Sequence, residues 1–179
     1  MFSVARSHHG SAEEVHRDLL EQARALLHGE RDFTANAANL AALVFHTLPD
    51  LNWAGFYWMK GGELVLGPFQ GKPACVRIAI GKGVCGTAAR DRKSIVVPDV
   101  DAFPGHIACD SASNSEVVVP LVRDGQLLGV LDLDSPNLAR FGAVDARGLE
   151  RLAKIFVESI QELRSTTENA GEAPASVKQ

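Results

Sequence analysis

The chain has 179 residues, 46% of them hydrophobic and 22% charged, with a net charge of -4 and a mean hydropathy of zero, the profile of one compact soluble domain. A chain of this length buries roughly 70% of its unfolded surface, so it folds around a core without disulfide staples or a structural metal. No basic block exceeds the scattered Arg90, Arg92 and Lys93, which argues against nucleic-acid binding, and no stretch approaches the roughly 18 uninterrupted apolar residues of a membrane span.

Residues 1–10 lack the apolar centre of a secretion signal and read as an extension, so a cytoplasmic location is expected. Ser11 and Glu14 have the spacing of a capping box, which opens a helix running to about residue 27. Its apolar residues Val15, Leu19, Ala23, Leu26 and Leu27 share one stripe. A second helix is predicted over residues 35–47, with Leu40, Leu43, Val44 and Leu48 at helical spacing and Pro49 as its stop. From residue 52 the period becomes that of strands: residues 52–59, a Lys60-Gly61-Gly62 turn and residues 64–69 form a hairpin, and a third strand follows over 75–80. A short helix over 84–91 precedes a strand over 94–97, closed by Pro98. Residues 98–115, rich in Pro, Gly, Asp, Asn and Ser, read as a long ordered loop of the kind that carries function.

Two further strands, 116–122 and 126–132, flank Arg123-Asp124-Gly125, whose Asp-Gly pair signals a hairpin. The helix after Asp145 places Leu149, Leu152, Ala153, Phe156, Val157, Ile160 and Leu163 on one broad face. Residues 166–179 are small and polar and are expected to be disordered. Helices at both ends of a mainly antiparallel sheet make the class α+β, with a single domain over residues 11–165.

Chemistry is concentrated in three cysteines and a set of carboxylates. Free cysteine commonly serves as core packing, and Cys75 has the setting of an ordinary strand residue. Cys109 lies in a loop, Pro104 to Asp110, that has no apolar periodicity to pack a small core residue. Cys85 sits near a predicted helix N-terminus, which is expected to lower its pKa. His106 and Cys109 are spaced like half a zinc site, but the paired C-x-x-C spacing of structural zinc is absent. In Leu131-Asp132-Leu133-Asp134 the alternation sends both leucines to one face and both aspartates to the other. Two carboxylates roughly 7 Å apart on one strand face repel each other, which raises one pKa and favours a bound cation such as an ammonium; a solvated strand face is the other reading. Glu116 joins them if the hairpin register allows. Trp53 and Tyr57, four apart on the first strand, share a face; such aromatics serve a core or wall a cavity with one flat apolar surface and one polar atom each.

From about residue 52 to residue 155 the sequence resembles the free methionine (R)-sulfoxide reductases, small stand-alone GAF-domain proteins. The resemblance rests on Asn52-Trp53-Ala54-Gly55-Phe56-Tyr57, Leu66-Gly67-Pro68-Phe69-Gln70-Gly71, Gly81-Lys82-Gly83-Val84-Cys85-Gly86-Thr87-Ala88, Pro104-Gly105-His106-Ile107-Ala108-Cys109-Asp110, Ser115-Glu116 and Leu128 to Ser135. It implies a six-stranded antiparallel sheet with helices packed on it, a homodimer, and free methionine (R)-sulfoxide as substrate. On matching positions it implies Cys109 as nucleophile, Cys75 as its resolving partner and Cys85 as a nearby third thiol. Glu116, Asp132 and Asp134 match the acidic substrate-binding residues, and Trp53 and Tyr57 the aromatic wall. The implied cycle passes through a sulfenic acid and an intramolecular disulfide, which an external dithiol such as thioredoxin reduces. No metal or organic cofactor is implied. The competing expectation is a non-catalytic GAF module that binds a small molecule and signals, its cysteines inert.

Overall fold

The computed structural model describes residues 10–107 and 111–160. Cys109, Leu163, most of the N-terminal extension and the 166–179 tail lie outside the described residues. The capping box is formed as expected: Ser11 Oγ accepts the Glu14 N–H at 3.3 Å while Glu14 Oε2 accepts the Ser11 N–H at 2.8 Å, and α1 spans Ala12–Leu26. Helix α2, Phe33–Thr47, starts two residues earlier than its apolar spacing suggests. The reason is Asp32, whose Oδ1 accepts the Ala35 N–H at 2.7 Å and so satisfies a free donor of the first turn.

The strands and remaining helices follow as β1 (Trp53–Lys60), β2 (Glu63–Gly71), β3 (Arg77–Ala79), α3 (Gly83–Asp91), β4 (Ile95–Val97), β5 (Ser115–Arg123), β6 (Gln126–Ser135) and α4 (Ala143–Ser159). The β5–β6 hairpin turns at Asp124 and Gly125, with φ of 48° and 77°, the left-handed pair that such a two-residue turn requires. Helix α4 begins ahead of Asp145, because that residue sits inside the first turn and its Oδ2 accepts the Gly142 N–H at 2.9 Å. The expected strand over 75–80 shrinks to three residues paired with β2, so Cys75 lies in the loop before β3 and is not a strand residue.

The six strands form one antiparallel sheet in the order β3-β2-β1-β6-β5-β4. Both faces of its centre are covered. On one face α1, α2 and α4 pack Leu19, Leu40 and Phe156 onto Phe56, Trp58, Val117, Val119, Leu131 and Leu133. On the other, Trp53, Tyr57, Val118 and Val130 meet Val84, Cys85 and Ala88 of α3. The alternation along β6 therefore separates its side chains as the sequence pattern demands: leucines beneath the helices, aspartates beneath α3. Among the described residues no helix is long and apolar enough to cross a membrane.

A buried ionic cluster locks the helical layer. His16 Nε2 lies 3.0 Å from Asp145 Oδ1, to which Arg140 Nη1 also donates at 3.2 Å, while Arg140 Nε donates to the Pro49 carbonyl at 3.1 Å. Helix α1, the α2–β1 connection and the start of α4 thus meet at one carboxylate. Burial pushes the Asp145 pKa up, but His16, the Gly142 N–H and Arg140 outweigh it and hold the group at about 2. In the unfolded chain the same group takes up its proton near 3.8, so its stabilising effect is complete above that value and disappears as pH falls towards 2. Denaturant unfolding of wild type and Asp145→Asn is accordingly expected to show a stability gap at pH 5 that narrows steadily towards pH 2. A gap independent of pH over that range would show that the carboxylate's charge is not what the cluster uses.

Candidate active site

The pocket beneath α3 is built from three strands in register. Trp53 stands opposite Asp134 and Gly55 opposite Asp132 across β1–β6, while Glu116 faces Asp134 and Val118 faces Asp132 across β5–β6. This register brings Glu116, Asp132, Asp134, Trp53 and Tyr57 to the lining of one cavity together with Cys85. The hairpin therefore does add Glu116 to the aspartate pair. Of the three cysteines Cys85 is the one that lines the cavity among the described residues. Cys75 follows the lining residue Ala74 and is tied to the site through its backbone, whose carbonyl accepts the Tyr57 hydroxyl at 3.1 Å.

The aromatic wall of Trp53 and Tyr57 is backed by a third ring. The Trp53 ring stacks on Tyr57 at 5.9 Å and on Phe69 at 5.4 Å between centroids. Phe69, on β2, carries no periodic signal that marks it for a pocket; its role follows from Gly55, against which the Trp53 ring lies. A Cβ on Gly55 would come within 2.6 Å of the Trp53 ring and 2.4 Å of the Phe69 Cβ. Trp53 Nε1 also donates to the Lys72 carbonyl at 3.2 Å, so both polar ends of the wall hold the loop that contains Cys75.

The floor is electrostatically unusual. Glu116 and Asp132 are 6% and 5% exposed, and among the described residues neither has a lysine or arginine partner; His106 Nε2, 3.7 Å from Glu116 Oε2, is the nearest basic group. Burial, reinforced by the charges of Asp132 and Asp134, pushes the Glu116 pKa up. Burial likewise raises Asp132, against hydrogen bonding from Cys85 and Glu116. Desolvation is the first cause at both groups; repulsion from neighbouring carboxylates adds to the rise at Glu116 alone, so the raised Asp132 reflects burial rather than the expected repulsion from Asp134. His106 is pushed down by its own burial, against the pull of Asp101, and so favours its neutral form.

Cys85 overturns one expectation. It is the third residue of α3, where the helix N-terminus should favour a thiolate. It is instead fully desolvated and faces Glu116 Oε1 at 3.8 Å, so burial and then the charges of Asp132 and Glu116 push its pKa well up. A helix-end effect is a fraction of a charge, whereas burial beside two carboxylates opposes the thiolate from every side. The raised pKa favours the protonated Cys85 thiol, whose Sγ lies beside the acidic floor.

The rim of the cavity is basic. Lys72, Lys82 and the first residues of α3 line the cavity, and α3 has no side-chain cap on its N-terminal N–H groups. An uncapped helix start attracts anions. The cavity therefore presents an acidic floor, an aromatic wall and an electropositive rim, which suits a small zwitterion with an apolar side chain. Neither lysine was singled out by the sequence, since surface lysines carry no period; the glycines bracketing Lys82 are the one local signal.

The GAF domain family matches residues 34–161 of the chain. The free methionine-R-sulfoxide reductase of Escherichia coli is 49% identical over 155 residues, 87% of this chain and 92% of that protein. The free methionine-R-sulfoxide reductase of Saccharomyces cerevisiae is 45% identical over 155 residues, 82% of this chain and 86% of its own length. Among solved structures, that of the free methionine-R-sulfoxide reductase of Neisseria meningitidis in complex with its substrate superposes with a TM-score of 0.85 at 45% identity, over 89% of this chain and 95% of that one.

Replacing Gly55 by alanine is expected to cost about 1–3 kcal/mol through overpacking and to alter the near-ultraviolet circular dichroism of the stacked rings while far-ultraviolet dichroism stays the same. An unchanged near-ultraviolet spectrum would show that the wall does not depend on Gly55.

Proposed function

The chain belongs to the free methionine-R-sulfoxide reductase family of GAF-domain proteins, and from that premise we propose that it reduces free L-methionine (R)-sulfoxide to methionine. The observation that carries this reading is the buried pair Glu116 and Asp132, without a lysine or arginine partner among the described residues, set against an aromatic wall. Such a floor is costly unless a cation completes it, and an amino acid's ammonium is a cation of the right size. Its carboxylate then faces the α3 N-terminus and the lysines of the rim, and its sulfoxide side chain lies along Trp53. A methionine within a protein has neither free charge, so the same geometry favours the free amino acid.

In the proposed cycle the Cys109 thiolate attacks the sulfoxide sulfur. The Glu116–Asp132 pair, whose raised pKa values keep a proton on it, protonates the sulfoxide oxygen as the general acid. The hydroxyl moves from the substrate sulfur to the Cys109 sulfur as the transient bond between the two sulfurs breaks, so methionine leaves with two added electrons and Cys109 is left as a sulfenic acid. The Cys75 thiol condenses with it, releasing water and forming a Cys75–Cys109 disulfide. A dithiol protein such as thioredoxin then reduces that disulfide by exchange. Tethering of the Cys75 backbone by Tyr57 supports a thiol held close to the pocket, and the elevated pKa of Cys85 supports a different part for the third cysteine. A homodimer in the cytoplasm completes the reading.

Two experiments test it. Cys109→Ser should abolish turnover with the fold kept, whereas Cys75→Ser should release about one methionine per chain and then stall with thioredoxin, since the first attack needs only one thiol. Substantial turnover by Cys109→Ser would remove Cys109 from the nucleophile's role. Full thioredoxin-dependent turnover by Cys75→Ser, with a Cys85–Cys109 link in the oxidised wild type, would move the resolving role to Cys85. Separately, free methionine (R)-sulfoxide should be reduced far faster than its S form or an N-acetylated, C-amidated analogue. Equal rates on the blocked analogue would show that the acidic floor does not read an ammonium, and no loss of thiols on exposure to any sulfoxide would favour a small-molecule sensor.

A further inference from the structure

The floor of the pocket has the composition of a metal site as well as that of an ammonium site. Cys85, Glu116 and Asp132, all buried, each present one ligand atom, and these atoms lie within 4.8 Å of one another. Their convergence alone would be an acidic cluster. A second observation points to a ligand: Asp132 Oδ1 is buried and has no hydrogen-bond partner among the described residues. An acceptor left so has given up its hydration with nothing in return, the more so when charged, and this one belongs to the same three-residue set.

The donor chemistry selects the ion. Calcium takes six to eight oxygens and magnesium an octahedral, mostly hydrated shell, which one sulfur and two carboxylates do not provide. A zinc-class ion accepts thiolate sulfur at about 2.3 Å and carboxylate oxygen at about 2.0–2.2 Å in a tetrahedron. Those bond lengths place ligand atoms about 3.3–3.6 Å apart. The Cys85 Sγ to Glu116 Oε1 separation of 3.8 Å thus needs only a small contraction. His106, whose Nε2 lies 3.7 Å from the other Glu116 oxygen, is the nearest further donor, and the fourth position otherwise opens to the pocket. Glu116 and Asp132 have no lysine or arginine competing for them among the described residues.

We propose that Cys85, Glu116 and Asp132 bind a zinc-class divalent cation in the floor of the pocket, the ion displacing the Cys85 thiol proton and any proton held by the carboxylate pair to solvent, and that this ion excludes the substrate's ammonium and so inhibits the protein reversibly. The site is distinct from the structural zinc that His106 and Cys109 suggest by spacing, and the fold does not need it. Ion binding stands on the geometry alone; the competition rests on the function proposed above.

Cobalt(II), which reports thiolate ligation through a charge-transfer band, is the probe, added to the reduced full-length chain. Wild type should show the band. A Cys75→Ser/Cys109→Ser double variant, in which Cys85 is the remaining thiol, should keep it. Cys85→Ser should lose it, and Glu116→Gln and Asp132→Asn should weaken cobalt binding at least about tenfold, with far-ultraviolet dichroism confirming that each variant is folded. Absence of the band from wild type or from the double variant would overturn the site, as would its persistence in Cys85→Ser. Free methionine sulfoxide should lower the apparent cobalt affinity, and chelation should restore the turnover that zinc suppresses. Cobalt binding at Cys85 that methionine sulfoxide leaves unchanged would overturn the competition. Cobalt binding as described, in a chain whose metal-free form never reduces methionine sulfoxide, would support the ion site and overturn the reductase reading instead.

Discussion

A central strand covered on both faces forces every second side chain into one of two interiors, and β6 fills one of them with aspartate. Leu131 and Leu133 lie in the helical core, so the pleat leaves Asp132 and Asp134 no direction except towards α3. A register slip of one residue would bury those carboxylates beneath three helices and expose the leucines to the pocket. The hydrophobic effect thus fixes the polar site indirectly: the leucines hold the strand, and the strand holds the acids. Neighbouring strands extend the constraint, because Glu116 and Trp53 take their places opposite Asp134 through the same ladders.

What was legible in the sequence is what depends on local period and local hydrogen bonding. The Ser11–Glu14 cap, the Asp-Gly hairpin and the two-residue alternation of β6 are properties of short segments, and the structure reproduces each of them. The shared face of Trp53 and Tyr57 follows from the same period. The antiparallel sheet with flanking helices and its GAF character were equally readable. What was not legible depends on contacts between distant segments. Asp32 displaces the start of α2 by two residues, and Cys75 falls outside β3 because that edge strand has only β2 to pair with. His16 interrupts a stripe of apolar residues only to reach a carboxylate 129 positions away.

The direction of the Cys85 pKa belongs to the same class. Position in a helix is visible from sequence and argues for a thiolate; the two carboxylates that argue against it arrive from β5 and β6. Phe69 likewise comes to back the wall through Gly55, whose missing side chain gains meaning only when β2 lies beside β1. In each case the sequence names the residue type and tertiary packing supplies the sign of its effect.

Both hydrogen-bonding ends of the aromatic wall terminate on one loop, Trp53 on the Lys72 carbonyl and Tyr57 on that of Cys75. The surface that shapes the cavity and the backbone that carries a thiol therefore form a single mechanical part. Inheritance acts on such a part as a unit: a change of ring size or polarity in the wall also re-aims the loop. Substitutions in the two segments should consequently be epistatic, with neither free to drift alone. Any redesign of the cavity for a bulkier guest must carry the 72–75 loop with it.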